Sequence, residues 1–198
     1  MKTYFTADLH LGHEKVAYHR GFNTVEEHDA AVLRGLKEVA HSGNQIFILG
    51  DISGGKTEDQ ALIALYLIKA RGANFHLVCG NHDSYHPMHR HYVKNRRGAH
   101  GVFTTIDSMG TFRHNRDKIM LSHFPYTGDR GEERYPEYRL NDAGKPIIHG
   151  HTHSTEKVSY SGKGTLQICV SQDAWGFKPA PKDELVKLIN KRLGEAHE

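Results

Sequence analysis

Five short blocks in this sequence carry side chains of the kind that hold metal ions. They are Asp8-Leu9-His10, Gly50-Asp51, Gly80-Asn81-His82-Asp83, Ser122-His123 and His149-Gly150-His151-Thr152-His153. Imidazole nitrogens mixed with carboxylate and amide oxygens suit manganese, iron, zinc or nickel better than calcium, which prefers oxygen throughout. The candidate ligands Asp8, His10, Asp51, Asn81, His123, His151 and His153 are too many for one ordinary site. They fit two divalent ions about 3.5–4 Å apart that share a carboxylate, the arrangement of two-metal hydrolases. Asp51 is the natural bridge, because it stands alone after its apolar run.

Each block closes a short apolar run: residues 2–5, 46–49, 77–79, 118–121 and 146–148. Between the first three runs lie helical patterns. Thr24 and Glu27 form a capping box ahead of Val32, Leu36 and Val39, which predicts a helix over 25–40. A second helix is predicted over 57–71, where Leu62, Leu65 and Ile68 recur at helical spacing, and Gly72 ends it. Strand, helix, strand, helix, strand implies parallel strands whose carboxyl ends share one sheet edge, so the first three blocks converge there. Residues 86–95 read as a short helix or ordered loop, and 95–98 as a basic surface turn. From 101 to 122 the pattern turns to strands, with 102–106 predicted in a second, more antiparallel sheet. Residues 124–143 are long, charged and glycine-bearing, a candidate active-site lid. Strands at 145–148, 157–160 and 165–170 and a helix over 183–193 complete the order.

Composition sets the frame. The chain has 198 residues, 17 histidines, two cysteines and a net charge of +3. Its length predicts one domain spanning 1–198 with a full core. Cys79 and Cys169 sit in apolar runs, as reduced thiols of a cytoplasmic protein would. No run is long enough for a membrane span. The small positive charge permits nucleic acid as a partner without demanding it.

The five blocks, in this order, resemble those of the calcineurin-like metallophosphoesterase superfamily, and none departs from its pattern. The resemblance runs from Asp8 to His153. It implies an α/β fold, an αββα sandwich of two mixed β-sheets flanked by helices. By position it implies one ion on Asp8, His10, Asp51 and His153, and a second on Asp51, Asn81, His123 and His151, most simply Mn²⁺. Gly12-His13, Arg20-Gly21-Phe22 and Asp173-Ala174-Trp175 before Pro179 resemble a small bacterial and phage branch of the family. The implied reaction is hydrolysis of phosphodiesters by a hydroxide bridging two cations. The leaving alkoxide needs a proton or a positive field, and His82 is the candidate for either role, with Asp83 orienting His82.

With no obvious cap or long basic groove, small nucleotides, including 2′,3′- or 3′,5′-cyclic ones, are the leading substrate class. Alternatives are phosphomonoesters, short nucleic acid, or a metal-binding scaffold without activity. His13, Arg20 and Tyr126 are the candidate substrate contacts. His86, His89 and His91 could suggest a third ion, but their setting predicts exposed side chains instead.

Overall fold

The computed structural model describes residues 1–114, 117–129 and 131–195. The first half alternates as the periodicity predicts: β1 (Thr3–Thr6), α1 (Glu14–His19), α2 (Val25–Val39), β2 (Gln45–Ile48), α3 (Glu58–Lys69), β3 (Asn74–Val78), α4 (Tyr92–Ala99) and β4 (Phe103–Asp107). β1 to β4 pair in parallel and in sequence order. α2 starts where its cap was expected, with Thr24 Oγ1 accepting from Glu27 N at 3.2 Å. The Glu27 carboxylate reaches one residue further back than a standard capping box, to the N–H of Asn23.

β4 departs from the sequence reading. Residues 102–106 were predicted in the second sheet, yet Phe103–Asp107 pairs parallel to β3. The cause is α4, which provides the crossover that a parallel neighbour requires. This helix takes up the segment read as a basic turn, and the Arg96 side chain within it folds back, its guanidinium 5.3 Å from the Tyr92 ring centroid and its Nε donating to Tyr85 O. His91 gives α4 no side-chain cap, so its start carries no signal in the sequence.

The second sheet contains β5 (Gly110–His114), β6 (Asp117–Leu121), β7 (Ile147–His149), β8 (Val158–Tyr160) and β9 (Leu166–Cys169), in the order β5-β6-β7-β9-β8. Its outer pairs are antiparallel and its central pairs, β6 with β7 and β7 with β9, are parallel. β10 (Ala180–Pro181) adds an antiparallel edge to β1 and leads directly into α5 (Lys182–Glu195). Both sheets are therefore mixed, and the expected αββα sandwich is the fold observed.

Strand alternation sorts the core into two layers. Ile46, Ile48, Phe75 and Leu77 face Val32 and Leu36 of α2 and Leu65 and Ile68 of α3. Phe5, Leu49 and Val78 turn the other way, onto Ile119, Leu121, Ile148 and Ile168 of the second sheet. Two packed faces hold the first sheet rigid up to the edge where its strands end. Among the described residues, no helix is long and apolar enough to cross a membrane.

Candidate metal centre

The β1–β2 pairing does not stop at the strand ends. Asp8 N donates to Gly50 O, His10 N to Asp51 O and Leu11 N to Ile52 O, each at 3.0 Å. Along this extension the backbone is forced into the left-handed region at Asp8 (φ 57°), His10 (47°) and Asp51 (56°), and on the second sheet at His151 (69°) and His153 (48°). Left-handed backbone costs a non-glycine residue on the order of 1 kcal/mol or more and tends to cluster at functional sites. Here, five of the seven ligand candidates adopt it.

Glycines supply the room. A Cβ on Gly80 would lie 2.2 Å from Asp51 Oδ1, and one on Gly150 would lie 2.5 Å from Ala7 Cβ and 2.8 Å from Asp8 Oδ2. The glycine in each block is thus what lets the carboxylates of β1 and β2 sit against the turns that follow β3 and β7.

All seven predicted ligands meet at this edge. His10 Nε2 lies 3.0 Å from His153 Nε2 and 3.7 Å from Asp51 Oδ2. His123 Nε2 lies 3.2 Å from Asn81 Oδ1, 3.5 Å from Asp51 Oδ2 and 3.3 Å from His151 Nδ1. The donor atoms of Asp8, His10 and His153 lie within 4.8 Å of one another, as do those of Asp8, Asp51 and His123. These two groups overlap at Asp8, whereas Asp51 presents its single Oδ2 to both His10 and His123. The Asp51 carboxylate is turned that way because its Oδ1 accepts from the N–H of His82 at 2.9 Å. His123 is oriented by Leu49, whose carbonyl can only accept, so Nδ1 carries the hydrogen and Nε2 presents its lone pair to the cluster.

The donor set fits divalent cations. Burial, and then the neighbouring His153, hold the His10 imidazole well below its ordinary pKa; burial also depresses His123, and burial followed by His123 takes His151 down to about 3. Burial and then the nearby Asp8 push the Asp51 carboxyl well up. Neutral, crowded imidazoles beside two carboxylates at 0% and 2% exposure concentrate lone pairs at one point. A positive ion there satisfies both kinds of ligand at once.

Around this cluster the remaining predicted residues divide. His82 is exposed at its rim, with its ring centroid 5.3 Å from that of His10 and 6.1 Å from that of His13. His13 caps α1, Nδ1 accepting from Val16 N at 3.4 Å, and stays beside the site. Asp83 does not orient His82. Its carboxylate is fully buried and accepts from the N–H groups of Gly80, Asp51 and Ile52 at 2.7–2.9 Å, tying the β2 turn to the β3 turn. Burial, and then Asp51, push its pKa up to about 7.

Arg20 is not a free phosphate contact. Its side chain is 3% exposed, pairs with Asp173 at 2.7 Å and donates to Asp8 O at 2.9 Å. Tyr126 is buried too, its hydroxyl donating to Lys145 O at 3.0 Å. Of the three further histidines, His86 is buried rather than exposed, its Nδ1 accepting from Met88 N, and His89 Nε2 donates to Asn81 O.

The sequence reading missed Asp129, Arg134 and Arg139, all within the predicted lid. Asp129 Oδ2 lies 3.0 Å from His151 Nε2, and both arginines pair with its carboxylate. These residues carry no periodic or motif signal, since only the folded loop brings them to the site. Beside His151 and His153 opens a cavity of about 470 Å³ lined also by Val16, His19, Arg134 and Thr155.

The calcineurin-like phosphoesterase superfamily domain matches residues 1–169, so the chain belongs to that superfamily. It is a metal-dependent phosphoesterase, and the family implies divalent ions at this site. The Gene 66 protein of Mycobacterium phage L5 is 39% identical over 95% of this chain and 94% of its own length. The Gene 66 protein of Mycobacterium phage D29 is 36% identical over 94% of this chain and 95% of its own. The crystal structure of AQ665 from Aquifex aeolicus has the same fold, with a TM-score of 0.69 at 22% identity, covering 94% of this chain and 98% of that one.

Proposed function

We propose that the chain is a phosphodiesterase with a dinuclear centre, acting on small substrates of nucleotide size, cyclic nucleotides included. The observation that carries this reading is the single Asp51 oxygen lying 3.7 Å from His10 Nε2 and 3.5 Å from His123 Nε2, between two clusters of ligands. Asp8, His10, Asp51 and His153 would hold one ion, and Asp51, Asn81, His123 and His151 the other. Mn²⁺ suits these ligands, with iron, zinc and nickel as alternatives. When bound, such a pair supplies Lewis acidity toward phosphoryl oxygens and makes water acidic enough to attack near neutral pH.

The chain's own residues do the rest. The His82 N–H fixes the Asp51 carboxylate, while the His82 ring, exposed on the rim, faces where a leaving oxygen would depart. Partial burial of its inner side, and then His13, lower the His82 pKa, so the neutral ring is the resting form, and the proton it gives to a departing alkoxide is that of the imidazolium, which leaves the ring neutral. The cavity of about 470 Å³ beside His151 and His153 falls within the about 300–1,000 Å³ range of small-molecule sites. Its walls would take a nucleoside but not a duplex.

Turnover of bis(4-nitrophenyl) phosphate against 4-nitrophenyl phosphate, each with added Mn²⁺, Zn²⁺, Ni²⁺ or Fe²⁺, tests the reaction type. A diester preference of at least tenfold is expected, and a monoester preference would overturn the proposal. A panel of cyclic nucleotides against single-stranded oligonucleotides then tests substrate size. Faster cleavage of the oligonucleotides would replace the small-substrate reading with that of a nuclease.

A further inference from the structure

The two histidines of the Gly150-His151-Thr152-His153 turn meet the cluster with opposite nitrogens. His151 presents Nδ1, which lies 3.3 Å from His123 Nε2, whereas His153 presents Nε2, which lies 3.0 Å from His10 Nε2. Each turns its other nitrogen onto a carboxylate from a distant part of the chain. His151 Nε2 faces Asp129 Oδ2 at 3.0 Å, and His153 Nδ1 faces Asp173 Oδ2 at 3.3 Å.

Each carboxylate is in turn held by arginine. Arg134 donates through Nη2 to Asp129 Oδ1 at 2.8 Å and through Nε to Oδ2 at 3.1 Å, and Arg139 Nη2 adds a third bond at 2.9 Å. Arg20 grips Asp173 in the same way, with Nη2 to Oδ2 at 2.7 Å and Nε to Oδ1 at 3.2 Å.

We propose that Asp129 and Asp173 are positioning residues that set opposite tautomers on His151 and His153, so that each histidine offers an ion the correct nitrogen. Guanidinium groups only donate, so a carboxylate forked by one has both oxygens acting as acceptors. The imidazole nitrogen facing that carboxylate must then bring the hydrogen, which leaves Nδ1 of His151 and Nε2 of His153 with bare lone pairs. Arg20 Nη2 also lies 3.4 Å from His153 Nδ1, but its two hydrogens are already directed at Asp173 Oδ2 and Asp8 O. The hydrogen between His153 and Asp173 therefore comes from the imidazole.

A carboxylate behind a ligating histidine both fixes the ring and raises its basicity, and losing it typically weakens metal binding about 10–100-fold. The arrangement also ties the loop bearing Asp129 to one ion and the turn bearing Asp173 to the other. The inference rests on the dinuclear reading above.

The test uses the full-length protein labelled with ¹⁵N at histidine and loaded with Zn²⁺, which is diamagnetic. Long-range ¹H–¹⁵N correlations report which nitrogen of each ring carries hydrogen. Protonated Nε2 on His151 and protonated Nδ1 on His153 are expected, and the same tautomer on both, or the reverse pattern, would overturn the proposal. Calorimetric Zn²⁺ titration of Asp129→Ala and Asp173→Ala should show one of two binding events weakened about 10–100-fold, a different one in each variant. Wild-type affinity in both variants would refute it. Should either alanine variant fail to fold, the wild-type tautomers decide by themselves, and Asp129→Asn and Asp173→Asn serve for affinity. A wild-type protein that binds no ion would sink the dinuclear reading itself, an outcome distinct from binding with the tautomers reversed.

Discussion

His10 and His153, 143 residues apart in sequence, bring their Nε2 atoms to 3.0 Å from each other at the inner wall of the site. At most one hydrogen can lie between them, and both rings belong to a cluster whose Asp8 and Asp51 carboxylates are shielded from water. The buried Asp8 and Asp51 carboxylates beside them form a set whose negative charge a cation relieves. Removing divalent ions with a chelator should therefore lower the melting temperature, and restoring Mn²⁺ should raise it again. Saturation at about 100 times Kd corresponds to about 2.7 kcal/mol. Calorimetric melting before and after chelation checks this, and an unchanged melting temperature would remove the ions from this cluster.

Arg20 gives a test of structure against substrate contact. It is almost fully buried, joined to Asp173, His28 Nε2 and the Asp8 carbonyl. Arg20→Met removes the charged partner of the Asp173 carboxylate, leaving it only His153 and the Ser171 hydroxyl, and should destabilise the metal-free protein by about 3 kcal/mol. Burial alone would raise the Asp173 pKa, but bonds from His153 and Arg20 overcome it and hold the carboxyl well below the ordinary 3.8. A depressed pKa gives stability that is present above the unfolded value and lost as pH falls through the folded one. The gap between wild type and variant should thus be full at pH 7 and shrink on acidification below pH 3.8. Urea unfolding of chelated protein from pH 7 downward measures it. A variant with native stability and only a raised KM would restore Arg20 as a phosphate contact.

Much of the centre was legible because it is written in local pattern. Apolar runs ending in glycine and metal-type side chains fix both the strand ends and what they carry, and parallel order does the convergence. Asp83 shows where local pattern misleads. Its adjacency to His82 suggested a dyad, but successive side chains leave the backbone in different directions, and the carboxylate found three backbone N–H groups instead. β4 was placed in the wrong sheet because strand propensity does not name a partner, and the uncapped α4 that decides the pairing was faint. Asp129 could not be found at all. Its role depends on how a 20-residue irregular segment folds, and no periodicity describes that. Tyr126 looked like a substrate contact for the same reason, and Tyr126→Phe is expected to cost about 1 kcal/mol of stability with kcat/KM unchanged.

The glycine of the third block makes a separate claim about metal binding. Gly80 has no left-handed backbone, so its need for hydrogen is purely one of space. A Cβ would lie 2.2 Å from Asp51 Oδ1, 2.8 Å from Asp51 N and 2.8 Å from His123 Cε1. Gly80→Ala must push two ligand residues apart, and metal content after dialysis should fall at least tenfold. Gly162→Ala, where nothing lies within 4 Å of the added carbon, is the control and should retain full loading. Equal metal content in the two variants would mean that the turn yields without moving Asp51 or His123.

His82 separates holding the ions from using them. Its ring sits on the rim beside His10 and His13, while only its backbone N–H reaches Asp51. His82→Ala keeps that backbone donor and should keep its metal content. It loses an exposed imidazole placed to give a proton to the leaving oxygen, a contribution of about 10²–10⁴ in rate. The loss should be small for 4-nitrophenyl esters, whose leaving group departs as a stable anion, and large for alkyl esters, whose alkoxide needs a proton. Comparing kcat for the two ester types in wild type and variant, with metal content measured alongside, gives the answer. Equal losses on both would assign His82 to binding the phosphate instead of protonating what leaves it.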